Sequence, residues 1–208
     1  MSIVKLNNNG VKDATAFGSI TGLGNLILIK TQTVSSGVSS VSFVDGASSV
    51  VLDNTYKEYI FYFNNIHPAT SGADFVFNMS VDTGSNYNVT KTTTYFRAAH
   101  SEGDQNPDFG YVTGRDLAQS TSDQILGSTL MNDADAGVSG SLHLFDPSSS
   151  VFVKHFNSRV NIMETGAGIS NDNVIAGYAN TTSAVDAVIF KMSSGNCDTG
   201  TISLYGVN

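Results

Sequence analysis

Three stretches of this sequence carry side chains that could do chemistry. His100-Ser-Glu102-Gly-Asp104 sets an imidazole and two carboxylates at alternate positions, the spacing of one face of a strand and of a metal site. No second group of His or Cys completes such a site, and Gly, Gln, Asn and Pro surround it. A solvated polar loop over 100–114, which also holds Asp108, is the expectation. Asp82-Thr-Gly-Ser-Asn86 has the opening of a calcium loop but lacks the later acidic oxygens and the closing bidentate Glu. A turn with glycine in the left-handed region accounts for it. His143 and His155 fall on strands expected to be neighbours, where they could pair across a sheet. A nucleophile would have to be Ser, Thr or Cys197, and no Gly-x-Ser-x-Gly elbow is present. Cys197 is expected in a turn beside Asp198, whose charge would raise the thiol pKa.

Two further features point to binding rather than catalysis. The glycines of residues 18–24 lack the Lys-Ser/Thr pair and helix that a phosphate loop needs. Exposed Tyr62, Tyr87, Tyr111 or Tyr178 could stack on sugars, although Trp is absent and the phenylalanines fit core positions. These residues therefore define no catalytic, cofactor or metal set, and the chain is expected not to be an enzyme. Carboxylates distant in sequence can still meet in space.

The elements that must position these residues are strands. In Ala73–Val81, Phe75, Phe77, Met79 and Val81 alternate with polar Asp74, Asn78 and Ser80, the period of a half-buried strand. Residues 56–64, 25–30, 92–98, 140–145, 151–162, 174–178, 184–192 and 201–205 read the same way. Val41, Phe43 and 50–52 are further strand candidates. Leu142 and Leu144 should point inward, as should Phe152, Phe156, Val160 and Ile162, with His155, Asn157 and Arg159 opposite. Residues 119–131 fit either a strand or a short helix. Turn signals, including Asp146-Pro147, separate eight to ten strands at the spacing of sandwiches and jelly rolls. No βαβ alternation appears. The fold class expected is all-β: an antiparallel, jelly-roll-like β-sandwich over residues 25–208.

Composition narrows the partners. Charged residues make up 13% of the 208 positions, against about 25% in an average globular protein. The net charge is −8, so no basic face is expected for nucleic acid. No apolar run approaches the roughly 20 residues of a membrane helix. The N-terminus has no apolar signal region, and a lone cysteine cannot form an intrachain disulfide. Assembly in a cytoplasm is the expectation, which makes the sequons at Asn78, Asn88 and Asn180 matters of composition.

Residues 1–24 hold isolated apolar side chains, Ile3, Val4, Leu6, Val11, Phe17, Ile20 and Leu23, with no helical or strand period. Alone, they cannot bury enough surface to offset about 1–2 kcal/mol of backbone entropy per residue. An extended N-terminal arm that binds a neighbouring subunit through those seven residues is the expectation.

Several segments together resemble virion structural proteins of tailed bacteriophages, especially phages of marine bacteria. They are Tyr59-Ile-Phe-Tyr-Phe-Asn-Asn-Ile-His-Pro-Ala-Thr-Ser-Gly-Ala-Asp74, Ser80-Val-Asp-Thr-Gly-Ser-Asn-Tyr87, Leu144-Phe-Asp-Pro-Ser-Ser149, Asn180-Thr-Thr-Ser-Ala184, Phe190-Lys-Met-Ser-Ser-Gly-Asn196 and Gly200-Thr-Ile-Ser-Leu-Tyr-Gly206. Thr83 departs from that pattern. The resemblance implies a jelly-roll-like sandwich displayed on a virion assembled in the host cytoplasm. Within that setting the chain is expected to be a capsid decoration (cement) protein. It would bind the major capsid protein or other virion proteins, with itself as a homo-oligomer, a trimer by preference. The alternative is a tail-associated fibre or adhesin module binding host-surface glycan.

Overall fold

A computed structural model describes residues 25–208 apart from 36, 106 and 167. The expected arm, with Ile3, Val4, Leu6, Val11, Phe17, Ile20 and Leu23, lies outside the described residues. Those residues form twelve strands and no helix. The strands are β1 (Leu26–Val34), β2 (Val41–Val44), β3 (Glu58–Pro68), β4 (Phe75–Ser80), β5 (Lys91–Ser101), β6 (Asp108–Tyr111), β7 (Gln124–Gly127), β8 (Val138–Phe145), β9 (Lys154–Glu164), β10 (Ile169–Ala179), β11 (Ala187–Met192) and β12 (Cys197–Val207).

All pairings are antiparallel, and they make two sheets. One has the order β1-β12-β3-β8-β9-β10-β5-β6 and the other β2-β11-β4-β7. Taken without β5, β6, β9 and β10, the quartets β1-β12-β3-β8 and β2-β11-β4-β7 have the wiring of two nested Greek keys, which is a jelly roll. The four remaining strands are two insertions. One follows β4 and the other follows β8, and they join each other through β10 and β5 to extend the larger sheet.

Phenylalanine alternation explains why the sheets close. Phe61 and Phe63 of β3 face inward at 0% and 1% exposure. Phe190 of β11, in the smaller sheet, packs against them, with ring centroids 5.1 Å from both and 6.0 Å from Phe75. Phe77 of β4 meets Phe156 of β9 edge-on at 5.0 Å. Such edge-to-face pairs add to the area they remove from water.

Several expectations are corrected. Val81 is exposed at the end of β4, and the opposite face of that strand is buried as well. Loop 115–124 covers it: Asn78 Nδ2 donates to the Thr121 carbonyl and to Asp123 Oδ1. Residues 50–52 bury Val50 and Leu52 without joining a sheet. Phe152 is exposed, because the turn after Pro147 extends through it and Ser149 Oγ accepts from its amide. Pro68 ends a strand, where its missing N–H costs no interior ladder bond. Cys197 begins β12 and is buried. The region 119–131 holds a strand at 124–127, flanked by isolated bridges from Ser120 to Lys91 and from Leu130 to Glu164.

Candidate functional site

The cross-strand register collects one surface from many strands. Tyr111, Phe96, Val174, Arg159, Ser141, Tyr62 and Ser203 stand in a row across β6, β5, β10, β9, β8, β3 and β12. Their neighbours along each strand, including Tyr95, Ile175, Leu142, Phe61 and Ile202, point into the core. The row therefore lies on the outer face of the larger sheet. Of the ten exposed large hydrophobic side chains among the described residues, seven lie on this face: Leu26, Leu28, Tyr62, Phe96, Phe109, Tyr111 and Val174. Exposed apolar groups gathered this way mark an interaction surface more often than scattered ones do.

The face has aromatic ends and a charged middle. Phe96 and Tyr111 meet edge-on at 5.2 Å, and Tyr62 and Tyr205 at 5.6 Å. Between them Arg159 donates Nη2 to Asp172 Oδ2 at 2.7 Å, and Nε to the same carboxylate. That carboxylate raises the guanidinium pKa.

Four depressions indent this face. A groove of about 690 Å³ is lined by His100, Glu102, Asp135, Ser139, Asn161 and Ser170, among others. A second, of about 380 Å³, brings Phe145, His155 and Tyr178 together with Thr92, Thr94 and Asn157. The third, of about 320 Å³, sits beside Phe109, Pro107 and His100. The fourth, of about 360 Å³, sits beside Ser139, Arg159, Asn161 and Asp172.

The expected loop over 100–114 is instead a strand end, a turn and β6. His100 belongs to β5, and its Nε2 lies 3.3 Å from Asp104 Oδ1. Asp104 sits in the turn at φ 54°, so the three alternate residues do not share one strand face. Among the described residues no group of three or more His, Cys, Asp or Glu is placed to hold a metal ion.

The Asp82 stretch is a closed turn, with Thr83 and Gly84 both left-handed at φ 60° and 75°. Asp82 accepts from the Ser80 hydroxyl and from the amide and side chain of Asn86. The Asn86 side chain first, then Ser80, hold its pKa down to about 2. Its oxygens are thus spent on the turn itself.

His143 does not pair with His155. Its Nδ1 is 2.6 Å from Glu58 Oε1 on β3, while His155 faces the Tyr178 ring at 6.2 Å. Burial first, and Asp198 second, push the Cys197 thiol up to about 11, which removes it as a nucleophile near neutrality. Tyr62, Tyr111 and Tyr178 all stand on the outer face, whereas Tyr87 packs beside Gly84 and Val44 near the smaller sheet.

Sequence reasoning missed His67. Its Nδ1 is 2.7 Å from Asp198 Oδ1 and its Nε2 3.0 Å from the Asp133 carbonyl. It also missed Phe109 and the Arg159–Asp172 pair, which only the register brings onto one surface. Comparison with family models, with curated proteins and with solved structures found no match.

Proposed function

We propose that this chain is a structural protein of a phage virion, a decoration protein that binds the major capsid protein and its own copies, a trimer by preference. The observation that carries this reading is the outer face of the larger sheet. Its seven exposed apolar side chains are spread over a broad, shallow surface, the form taken by a protein partner's footprint rather than by a substrate cleft. The sequence resemblance to virion proteins supplies the setting. The acidic, weakly charged composition adds to it, since few charges would have to be desolvated at a subunit contact.

A second reading has its own support. The 380 Å³ depression sets Phe145, His155 and Tyr178 beside the hydroxyls of Thr92 and Thr94. Aromatic faces edged by hydroxyls suit a sugar ring, as a tail-associated adhesin would require. Counting this chain in purified particles separates the two. A copy number that scales with the capsid protein supports decoration. A number that matches the tail rejects it. Glycan-array binding by the isolated chain, lost in Tyr178→Ala, would favour the adhesin.

A further inference from the structure

Lys91 is a fully buried lysine that ends among neutral partners. It opens β5 with 0% exposure, and its Nζ donates to Asn78 Oδ1 at 2.6 Å and to the Val89 carbonyl at 2.8 Å. Among the described residues no salt bridge holds it. Asn78 is also buried, at 1%, on β4 of the other sheet. The far side of the same amide is occupied as well, since Asn78 Nδ2 donates to Asp123 Oδ1 at 2.9 Å. A primary amine, a primary carboxamide and a carboxylate thus stand in line, two of them withdrawn from water.

We propose that Lys91 and Asn78 join in an intramolecular isopeptide bond, with Asp123 carrying the proton between the two nitrogens. The Nζ lone pair attacks Asn78 Cγ, one bond beyond the oxygen it already touches. Once the Cγ–Nζ bond has formed, both nitrogens sit on one carbon beside Asp123 Oδ1, which already accepts from Nδ2. Nζ then gives a proton to Asp123, and Asp123 gives it to Nδ2. The Cγ–Nδ2 bond breaks and ammonia leaves. A Cγ–Nζ amide remains, and Asp123 returns to its starting state. Nothing is oxidised or reduced, and no co-reactant enters.

The surroundings favour each part of this step. Burial pushes the Lys91 pKa down to about 8, against the opposing pull of Asp123, so a neutral amine is accessible in mildly alkaline solution. Asp123 is the charged group that faces this amine. It is itself partly exposed and bound to Lys191 Nζ at 2.9 Å through its other oxygen, which leaves Oδ1 for the amide. Holding the reactants in contact removes the entropic part of a barrier that keeps free amines and amides inert. The product is a ring around the Asp82 turn that ties the smaller sheet to the larger one covalently.

The test is mass spectrometry of the full chain, folded, held in mildly alkaline buffer and then denatured. The expected result is a mass lower by one ammonia. Trypsin should no longer cut after Lys91, so Glu58–Arg97 emerges as one fragment lighter by one ammonia. A chain of full mass, cut normally at Lys91, overturns the proposal. So does an ammonia loss confined to a fragment ending at Lys91, which would be a succinimide at Asn78. Lys91→Arg removes the nucleophile but disturbs a buried site. Asp123→Asn, with its fold checked by circular dichroism, is the gentler variant. It should keep the full mass, and bond formation at the parental rate would overturn the role of Asp123.

Discussion

His67 clamps two strand ends and a loop through one ring, with Nδ1 2.7 Å from Asp198 Oδ1 and Nε2 3.0 Å from the Asp133 carbonyl. Both contacts are best made by imidazolium, which donates from both nitrogens. Burial alone would lower the pKa, but the bonds to Asp133 and Asp198 outweigh it, and the pKa lies above 6.5. A raised folded-state pKa contributes stability that is complete below 6.5 and fades as pH rises through the folded value. His67→Gln should therefore lower the unfolding free energy read from urea titration at mildly acidic pH, by about 1–2 kcal/mol. The gap should narrow in alkaline buffer. An equal loss at both pH values would show that the ring acts by packing alone.

Phe190 touches the rings of Phe43, Phe61, Phe63, Phe75 and Phe77. Phe190→Ala should cost about 3–5 kcal/mol, the range for emptying a packed aromatic site. Denaturant unfolding followed by tyrosine fluorescence would measure it. A loss below about 1 kcal/mol would mean that the two sheets do not close around this ring.

Asp82 organises its turn as an anion. Its pKa falls from 3.8 to about 2, so its contribution is complete above 3.8 and disappears as pH falls toward 2. Asp82→Ala should lower Tm at neutral pH, and the difference from the parent should shrink steadily below 3.8. Calorimetry across that range checks the direction.

Phe109 and Tyr111 are 83% and 44% exposed on the outer face of the larger sheet. Replacing Phe109 alone with Ser, and keeping Tyr111 with its contacts to Phe96 and Asp116, should change stability by no more than about 0.5 kcal/mol, as for ordinary surface positions. Co-sedimentation with particles lacking this chain should nevertheless weaken. Unchanged co-sedimentation would move the docking surface elsewhere.

The strands were legible wherever one face was dry and the other wet. Leu142 and Leu144 alternate with exposed or half-buried neighbours, and so do Phe156, Val160 and Ile162. The signal failed where that contrast failed. β4 is buried on both faces, so the polar look of Asn78 and Ser80 suggested solvent where loop 115–124 lies. Phe152 looked like core because its type fits, but a turn set by Ser149 carries it outward. β6 is four residues of mixed polarity and pairs only because β5 runs beside it. The outer face was partly foreseen through Tyr62, Tyr111 and Tyr178. Its extent depends on a register among seven strands, which no local pattern encodes. The Lys91–Asn78–Asp123 line was invisible for the same reason: Asn78 and Lys91 belong to strands of different sheets, and Asp123 comes 45 residues after Asn78.

The two insertions that lengthen the larger sheet lean on each other. β10 aligns Ala179 with Lys91 of β5 on one side and with Lys154 of β9 on the other. Among the described strands β9 is also paired to β8 of the body, whereas β5 and β6 join the sheet through β10, so β10 cannot leave without stripping β5 and β6. Amide protons of β5, β6 and β10 should then exchange as one block, while those of β9, laddered to β8, should follow the eight-strand body. Slow assembly is the kinetic counterpart, because that seam can zip only after some eighty intervening residues have found their places.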